Sequence, residues 1–524
     1  MKNILFAALF LCGAACVLSA APLKIGWASA PIHDGKTHTQ IFGQHFLRWD
    51  RDGVLDPLTA TCLVIDNGED QLIFLSIDTT TFGYGNPPGP HIMKRLGRIA
   101  PEVPQEKILS GVTHTHTAGD MENRPIAKYL QDKVGKENKF TDYALDAIAG
   151  IIKRAWENRK PGRVAYGFSY AVVGHQRRAV YFTDRSKRPN ATPSSILIDG
   201  KAQMYGKTNV PEFSHHETGA DPAVNFVFTF DEQDKLTGAI VNIPCPSQCS
   251  ETEWFLSADY WADVRENLRS RYGKDLFILP QCAAAGDLSP HLRSYVKASK
   301  RKWQLKYGRA EKYRDEFNRR DIAERVGIAF DDAYSWARKE KFGDLPIQNR
   351  RIPLALPLVK PTEADVAAAR RVIALLDGID KKDAGALTDA KERRRLQVTQ
   401  SVLRRAKNLI RKHERYSPDD TLKTFINVAR LGDIAFFSNP FELYMDYMHR
   451  LQARSPFDQT FVIQLGMPGQ GHYLGTERAQ ANRGYGAGAT TLVDPAGGRI
   501  MIEAALDTLK KMHDGTLPKE EKKQ

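Results

Sequence analysis

The sequence predicts an α/β protein, one large unit carrying a helical insertion. Three observations predict it. Short apolar runs of strand length alternate with stretches whose apolar residues recur at helical spacing. Turn-forming residues, rather than long linkers, stand between them. From about residue 293 to 415 the pattern becomes mostly polar helix, which marks an insertion into the α/β frame.

Each element follows from its residues. Ala60-Thr-Cys-Leu-Val-Ile65 and Gln71-Leu-Ile-Phe-Leu-Ser-Ile77 flank Asp66-Asn-Gly-Glu-Asp70 and read as a hairpin. Residues 91–97 predict a short helix before a strand at 108–112. Residues 141–158 carry apolar positions at helical spacing and stop ahead of Pro161. Strands are expected at 223–230, 238–243 and 275–279, with a helix at 260–272 between the last two. Two further strands at 425–431 and 433–437 lead to a helix at 442–451, a strand at 461–465 and a last helix at 498–512.

The first twenty residues stand apart. MKN is followed by ILFAALFLCGAACVL and then Ser19-Ala-Ala21, the pattern of a secretory signal cut near Ala20 or Ala21. Export to the periplasm or outside the cell is the expectation, with the folded unit at 21–515 and a frayed basic tail at 516–524. Cys12 and Cys16 would leave with the signal. The remaining Cys62, Cys245, Cys249 and Cys282 are too few for a disulfide framework. The net charge of +13 and pI near 9.3 come largely from two helical stretches beginning at Lys297 and Lys391. Interleaved acids make these solvated faces, with contact to an anionic membrane surface as the other reading. An exported chain without a binding motif excludes a nucleic-acid role.

Chemistry-bearing residues cluster after strands, where α/β proteins build sites. Thr113-His-Thr-His-Thr-Ala-Gly-Asp120 follows the 108–112 strand, and alternation in an extended segment would send His114 and His116 to one face. Two neutral imidazoles are a natural start to a zinc site. Further along, Pro244-Cys-Pro-Ser-Gln248 ends a strand, and Gln281-Cys-Ala-Ala-Ala-Gly-Asp-Leu-Ser-Pro290 carries Ser289. Ser438-Asn-Pro-Phe-Glu442 places a carboxylate at a predicted helix start, and Gly471-His-Tyr-Leu-Gly475 follows the next strand.

Taken in order, these landmarks resemble the neutral/alkaline non-lysosomal ceramidase family. The pieces Gly174-His-Gln-Arg-Arg178, Met204-Tyr-Gly206 and Asp221-Pro-Ala-Val-Asn225 agree with it as well. The resemblance covers roughly residues 23 to 512 outside the helical stretch. It implies a single large mixed-sheet catalytic domain of neutral-ceramidase type and a zinc amidohydrolase that cleaves the N-acyl bond of a ceramide, or a related ester. His114, Glu442 and Tyr473 then resemble ligands of one zinc ion per chain. His116 resembles the catalytic imidazole facing substrate, and Ser289 the serine beside the scissile amide. Cys245 stands where the family has a second histidine ligand. A thiolate there would ligate zinc and leave its bound water less acidic. A degenerate protein that binds lipid or glycan without turnover is the alternative. A metal-free serine hydrolase using Ser289 or Ser247 ranks last, since neither lies in a Gly-x-Ser-x-Gly elbow.

Overall fold

Asn67 makes the predicted hairpin turn: its side-chain oxygen accepts from the backbone N–H of Glu69 and Asp70 at 3.0 and 2.9 Å. Gly68 supplies the left-handed residue at φ +83°. The flanking strands are Thr59–Asp66 and Gln71–Ile77, antiparallel in unbroken register. They belong to an eight-stranded sheet seen in the computed structural model, which describes residues 22–518 apart from 84, 309, 470 and 471. The predicted signal and residues 519–524 of the predicted tail lie outside the described residues. Among the described residues no helix is long and apolar enough to cross a membrane.

The sheet runs in the order Phe277–Cys282, Leu236–Ile243, Ala223–Asp231, Lys160–Tyr170, Lys24–Pro31, Thr59–Asp66, Gln71–Ile77 and Ile108–Val112. Its outermost pair at each edge is parallel and the rest antiparallel, so the sheet is mixed. The strand at Lys160–Tyr170 is absent from the sequence reading. Pro161, Gly162 and Gly167 disguise it, and half of its side chains face away from the core.

A second sheet of Ile347–Pro357, Thr421–Leu431, Ile434–Ser438 and Gln459–Ile463 packs on the first. Phe436 stands at the centre of the interface, its ring 4.7 Å from Phe74 and 4.8 Å from Phe461. Helices Pro88–Ile99, Lys139–Glu157, Tyr260–Tyr272 and Glu316–Ala337 cover the first sheet, and Met445–Arg454 and Pro495–His513 cover the second. Strands covered on both faces are apolar on both faces, which is why residues 60–65 form a continuous run. Phe436→Ala is expected to cost about 3–5 kcal/mol, because a fully buried ring between two sheets leaves a cavity neither sheet can close. Urea unfolding followed by tryptophan fluorescence checks it.

The stretch read as a helical insertion is more varied. Helices Val296–Tyr307, Glu316–Ala337, Glu363–Leu375 and Ala390–Arg415 are present, but Ile347–Pro357 is a strand paired along all eleven positions with Thr421–Leu431. It is an edge strand, the place where a sheet tolerates Pro353 and Pro357. Glu316–Ala337 likewise belongs to the main core, through Phe330 against Phe226 and Phe228. The last two helices, with Ile196, Leu197 and Ile198, build a small separate core around Ala369, Val372, Leu403 and Ala406.

Candidate active site

The Ile108–Val112 strand ends before the histidines, and His114 takes a left-handed conformation at φ +61°. The predicted extended alternation is therefore corrected: a turn, rather than a pleat, brings the two rings together. A non-glycine residue held there needs surrounding contacts to keep it. His114 Nδ1–H donates to the Thr80 carbonyl, which directs Nε2 inward. The two rings meet edge to face with centroids 4.9 Å apart, and their Nε2 atoms are 3.4 Å apart.

Glu442 is the second correction. The residues read as a helix start form a two-residue strand, Glu442–Leu443, and the helix begins at Met445. Pairing with Tyr473–Leu474 sets Glu442 opposite Tyr473. Glu442 Oε2 lies 3.4 Å from His114 Nε2, and the Tyr473 phenol hydrogen-bonds the carboxylate. Burial alone would raise the carboxyl, but the charge and hydrogen bond of His114 and the Arg177 guanidinium hold it below its ordinary value. Burial and then Glu442 push the Tyr473 phenol well up, so it keeps its proton. Gly286 permits the approach of the neighbouring loop, since a Cβ there would lie 2.4 Å from the Glu442 carbonyl oxygen.

Arg177 closes the group. It donates to Tyr205 Oη at 3.0 Å, Tyr473 Oη at 3.2 Å, the Gly286 carbonyl at 2.9 Å and Gln248 Oε1 at 3.4 Å. Its buried Nε–H has no partner among the described residues. The Gln248 amide donates to His116 Nε2 at 2.9 Å, so that nitrogen is an acceptor and Nδ1 carries the hydrogen. Burial and then the adjacent His114 drive His116 well below the ordinary imidazole range, which keeps it neutral at pH 7.

Behind His116 runs a chain of charges. Its Nδ1 is 3.6 Å from Glu251 Oε2, and Glu251 Oε1 is 3.1 Å from His291 Nε2, whose Nδ1 lies 3.2 Å from Asp315. Burial opposes both charges, yet Asp315 and Glu251 push His291 up to about 9, and His291 with His116 holds Glu251 at about 2. The sign is definite. A histidine raised from 6.5 to about 9 contributes stability that is complete below 6.5 and lost as the pH climbs through 9. Melting temperature should therefore fall over that interval, and His291→Gln should flatten the slope.

Ser289 is drawn in from the side, its oxygen accepting from Tyr205 Oη at 3.2 Å and the His291 backbone N–H at 3.1 Å. Ser247 is fully buried, its backbone N–H bound to the Thr113 carbonyl. Cys245 does not join the cluster. Its sulfur sits in the apolar core beside Tyr260 and Trp261, 3.5 Å from the Pro246 carbonyl, and burial pushes the thiol well up. Proline on either side turns the backbone there, and the carbonyl of Cys245 accepts from Tyr260 Oη at 2.8 Å. All four described cysteines are free.

His114, His116, Glu442, Tyr473 and Ser289 thus come together, and Cys245 stays apart. Sequence reasoning assigned no role to Arg177, Tyr205, Gln248, Glu251, His291 or Tyr485. Arg177 and Tyr205 stood within quoted landmarks, and a basic or phenolic residue inside such a piece was the available signal. A cavity of about 390 Å³ opens over the cluster, with His116, Arg177, Tyr205, Gln248, Tyr473 and Tyr485 in its wall.

The donor set can be tested against zinc. Among the described residues, no three His, Cys, Asp or Glu side chains are arranged to hold a metal ion. The set at hand instead mixes one imidazole, one carboxylate and one phenol. Loss of the Nε2 proton would leave two lone pairs directed at one point, for His114 Nε2 and Glu442 Oε2 face each other at 3.4 Å. That is about the separation of two ligands sharing a tetrahedral zinc ion at bonds of about 2.1 Å. The phenol adjoins them through its bond to Glu442. The spacing of His114 and Glu442 is compatible with a shared ion, Tyr473 adjoins them, and the Cys245 sulfur lies elsewhere, in the core.

No protein-family model matches the sequence, and neither does any curated protein. Solved structures do. The chain is similar to the neutral ceramidase from Pseudomonas aeruginosa, with 17% identity, a TM-score of 0.62, and 95% of this chain and 76% of that one covered. A ceramidase complexed with C2 is similar at 16% identity and TM-score 0.60, covering 96% of this chain and 76% of the other. The chain therefore has the neutral ceramidase fold, carried by a divergent sequence.

Proposed function

We propose that the chain is an exported, zinc-dependent hydrolase that cleaves the N-acyl bond of a ceramide-like lipid, or a related ester, in the cavity above Glu442. The observation that supports it best is the grouping of His114, Glu442 and Tyr473 under a wall that presents the Arg177 guanidinium. The likeness in fold to two ceramidases points the same way. His114, Glu442 and Tyr473 would hold one zinc ion, which when bound supplies an acidified water and a polarised carbonyl.

The chain's own residues supply the rest. Arg177, with one N–H unpartnered, offers a donor to the oxyanion that develops as water adds to the carbonyl. His116, neutral, takes the proton of the attacking water at Nε2 as that water displaces the Gln248 amide, and returns it to the leaving amine. The C–N bond breaks as that proton arrives, giving a carboxylic acid and an amine. Glu251, behind Nδ1, orients the ring and stabilises the imidazolium formed in between.

Binding without turnover is the second reading. The observation favouring it is that Cys245 contributes no ligand while Arg177 already sets a positive charge against Tyr473 and Glu442. Metal analysis of the purified chain beside His114→Ala, with hydrolysis of fluorescent N-lauroyl amides in parallel, separates the two. About one zinc per chain together with amide cleavage, both lost in the variant, is the expected result. Neither metal uptake from added zinc nor cleavage of any amide would leave only the binder.

A further inference from the structure

We propose that the substrate carries an anionic group, a carboxylate or a phosphate ester, which Arg405 holds at the mouth of the cavity. The inference rests on that cavity being the substrate site and names the class of substrate it takes. Arg405 comes from the basic helix Ala390–Arg415 and lines two spaces at once. One is the cavity over the catalytic cluster. The other, of about 790 Å³, lies between the helix and residues 485–492. Tyr473 and Tyr485 border both, so a ligand reaching from Arg177 toward solvent passes Arg405.

What surrounds Arg405 leaves its charge unanswered. Among the described residues no carboxylate lies within ion-pair reach of it, and the helix directs its pairs elsewhere, Lys407 to Asp380 and His413 to Glu363. Its guanidinium instead rests 4.9 Å from the Tyr485 ring centroid and donates to the His45 ring at 3.0 Å. Those two contacts hold the planar group in place while sparing part of its donor fork. The outer space adds Arg411, Lys412 and Arg415 against one acid, Glu414. Lys412 is turned to the carbonyls of Ala489 and Thr491. In the inner cavity the acids are already engaged, Glu251 by His291 and Asp199 by the Gln203 amide. A half-buried guanidinium in such a field selects carboxylate or phosphate oxygens, which it meets with two parallel hydrogen bonds. A neutral lipid headgroup would leave that fork without a charged partner.

The test compares N-lauroylglycine and N-lauroyl phosphoethanolamine with neutral N-lauroylethanolamine, each titrated calorimetrically into the full chain at low salt and assayed for hydrolysis. At least one of the two acids should bind about tenfold more tightly than the neutral amide, the gain expected of one charge-assisted contact, and the better of them identifies the group. Arg405→Gln should erase the preference, and Arg405→Lys should keep part of it. Equal binding of all three ligands would overturn the proposal, as would a preference that Arg405→Gln leaves intact. Cleavage of the neutral amide without any acid preference would sink this inference and spare the hydrolase. An acid preference lost in Arg405→Gln, with no amide cleaved, would do the reverse. Should Arg405→Gln abolish attachment to phosphatidylglycerol vesicles yet change no ligand affinity, the arginine would belong to a membrane surface and the proposal would fail.

Discussion

Glu442→Gln is expected to lower kcat on an N-acyl substrate by about 10²–10³ or more, the range seen when one preorganised charge-stabilising group is lost. The substitution keeps size and hydrogen-bonding capacity but removes the charge on which three neighbours converge. His114 would face an amide in place of a carboxylate, the Tyr473 phenol would lose a charged acceptor, and Arg177 would lose its nearby anion. On the proposed zinc-dependent reading, metal content should fall with the rate. The fold should survive, because the backbone of Glu442 and Leu443 is held independently, by the His472 carbonyl and by Gln464 Oε1. A folded Glu442→Gln chain retaining more than a tenth of the rate would remove the carboxylate from the reaction.

Arg178→Ala should cost about 3–5 kcal/mol of stability. Arg178 and Glu217 are both essentially excluded from water, and Arg178 Nε donates to Glu217 Oε2 at 2.5 Å. The same guanidinium donates to the carbonyls of Ala479, Arg483 and Tyr485, tying down the loop that carries Tyr485 into the cavity. Removing it strands a buried carboxylate whose other side-chain partner is the Asn482 amide. Because the penalty is that stranded charge, Arg178→Met combined with Glu217→Leu should be less damaging than Arg178→Ala alone. Urea midpoints of the variants decide it, and a double variant worse than the single would show that the pair stabilises in its own right. Substrate affinity should also fall in Arg178→Ala, through release of Tyr485.

The frame of the fold was legible because its signals are local. The hairpin around Asn67, the helix at Tyr260–Tyr272 and the two histidines after Val112 each declare themselves within a few residues. Strands at Lys160–Tyr170 and Ile347–Pro357 escaped notice because prolines and half-exposed faces weaken the pattern that announces a strand. In the site, Glu442 and Tyr473 stood in candidate stretches after strands, but their role as ligands came only through the order of motifs resembling a family. Arg177, Glu251 and His291 had no signal of comparable strength, because a charge becomes informative once burial and a distant partner are known. Arg177, for instance, bonds residues 28, 71, 109 and 296 positions away.

The amino-acid order by itself determined the α/β class, the position of most elements, and the candidate residues at strand ends, because periodicity and turn chemistry act over a handful of residues. Only the tertiary structure decided which candidates meet. It turned His114 into a left-handed residue so that its ring faces Glu442, paired Glu442 with Tyr473, and sent the Cys245 sulfur into the core. Strand register and loop closure set those outcomes, and both depend on how two sheets pack together rather than on any residue's neighbours in sequence.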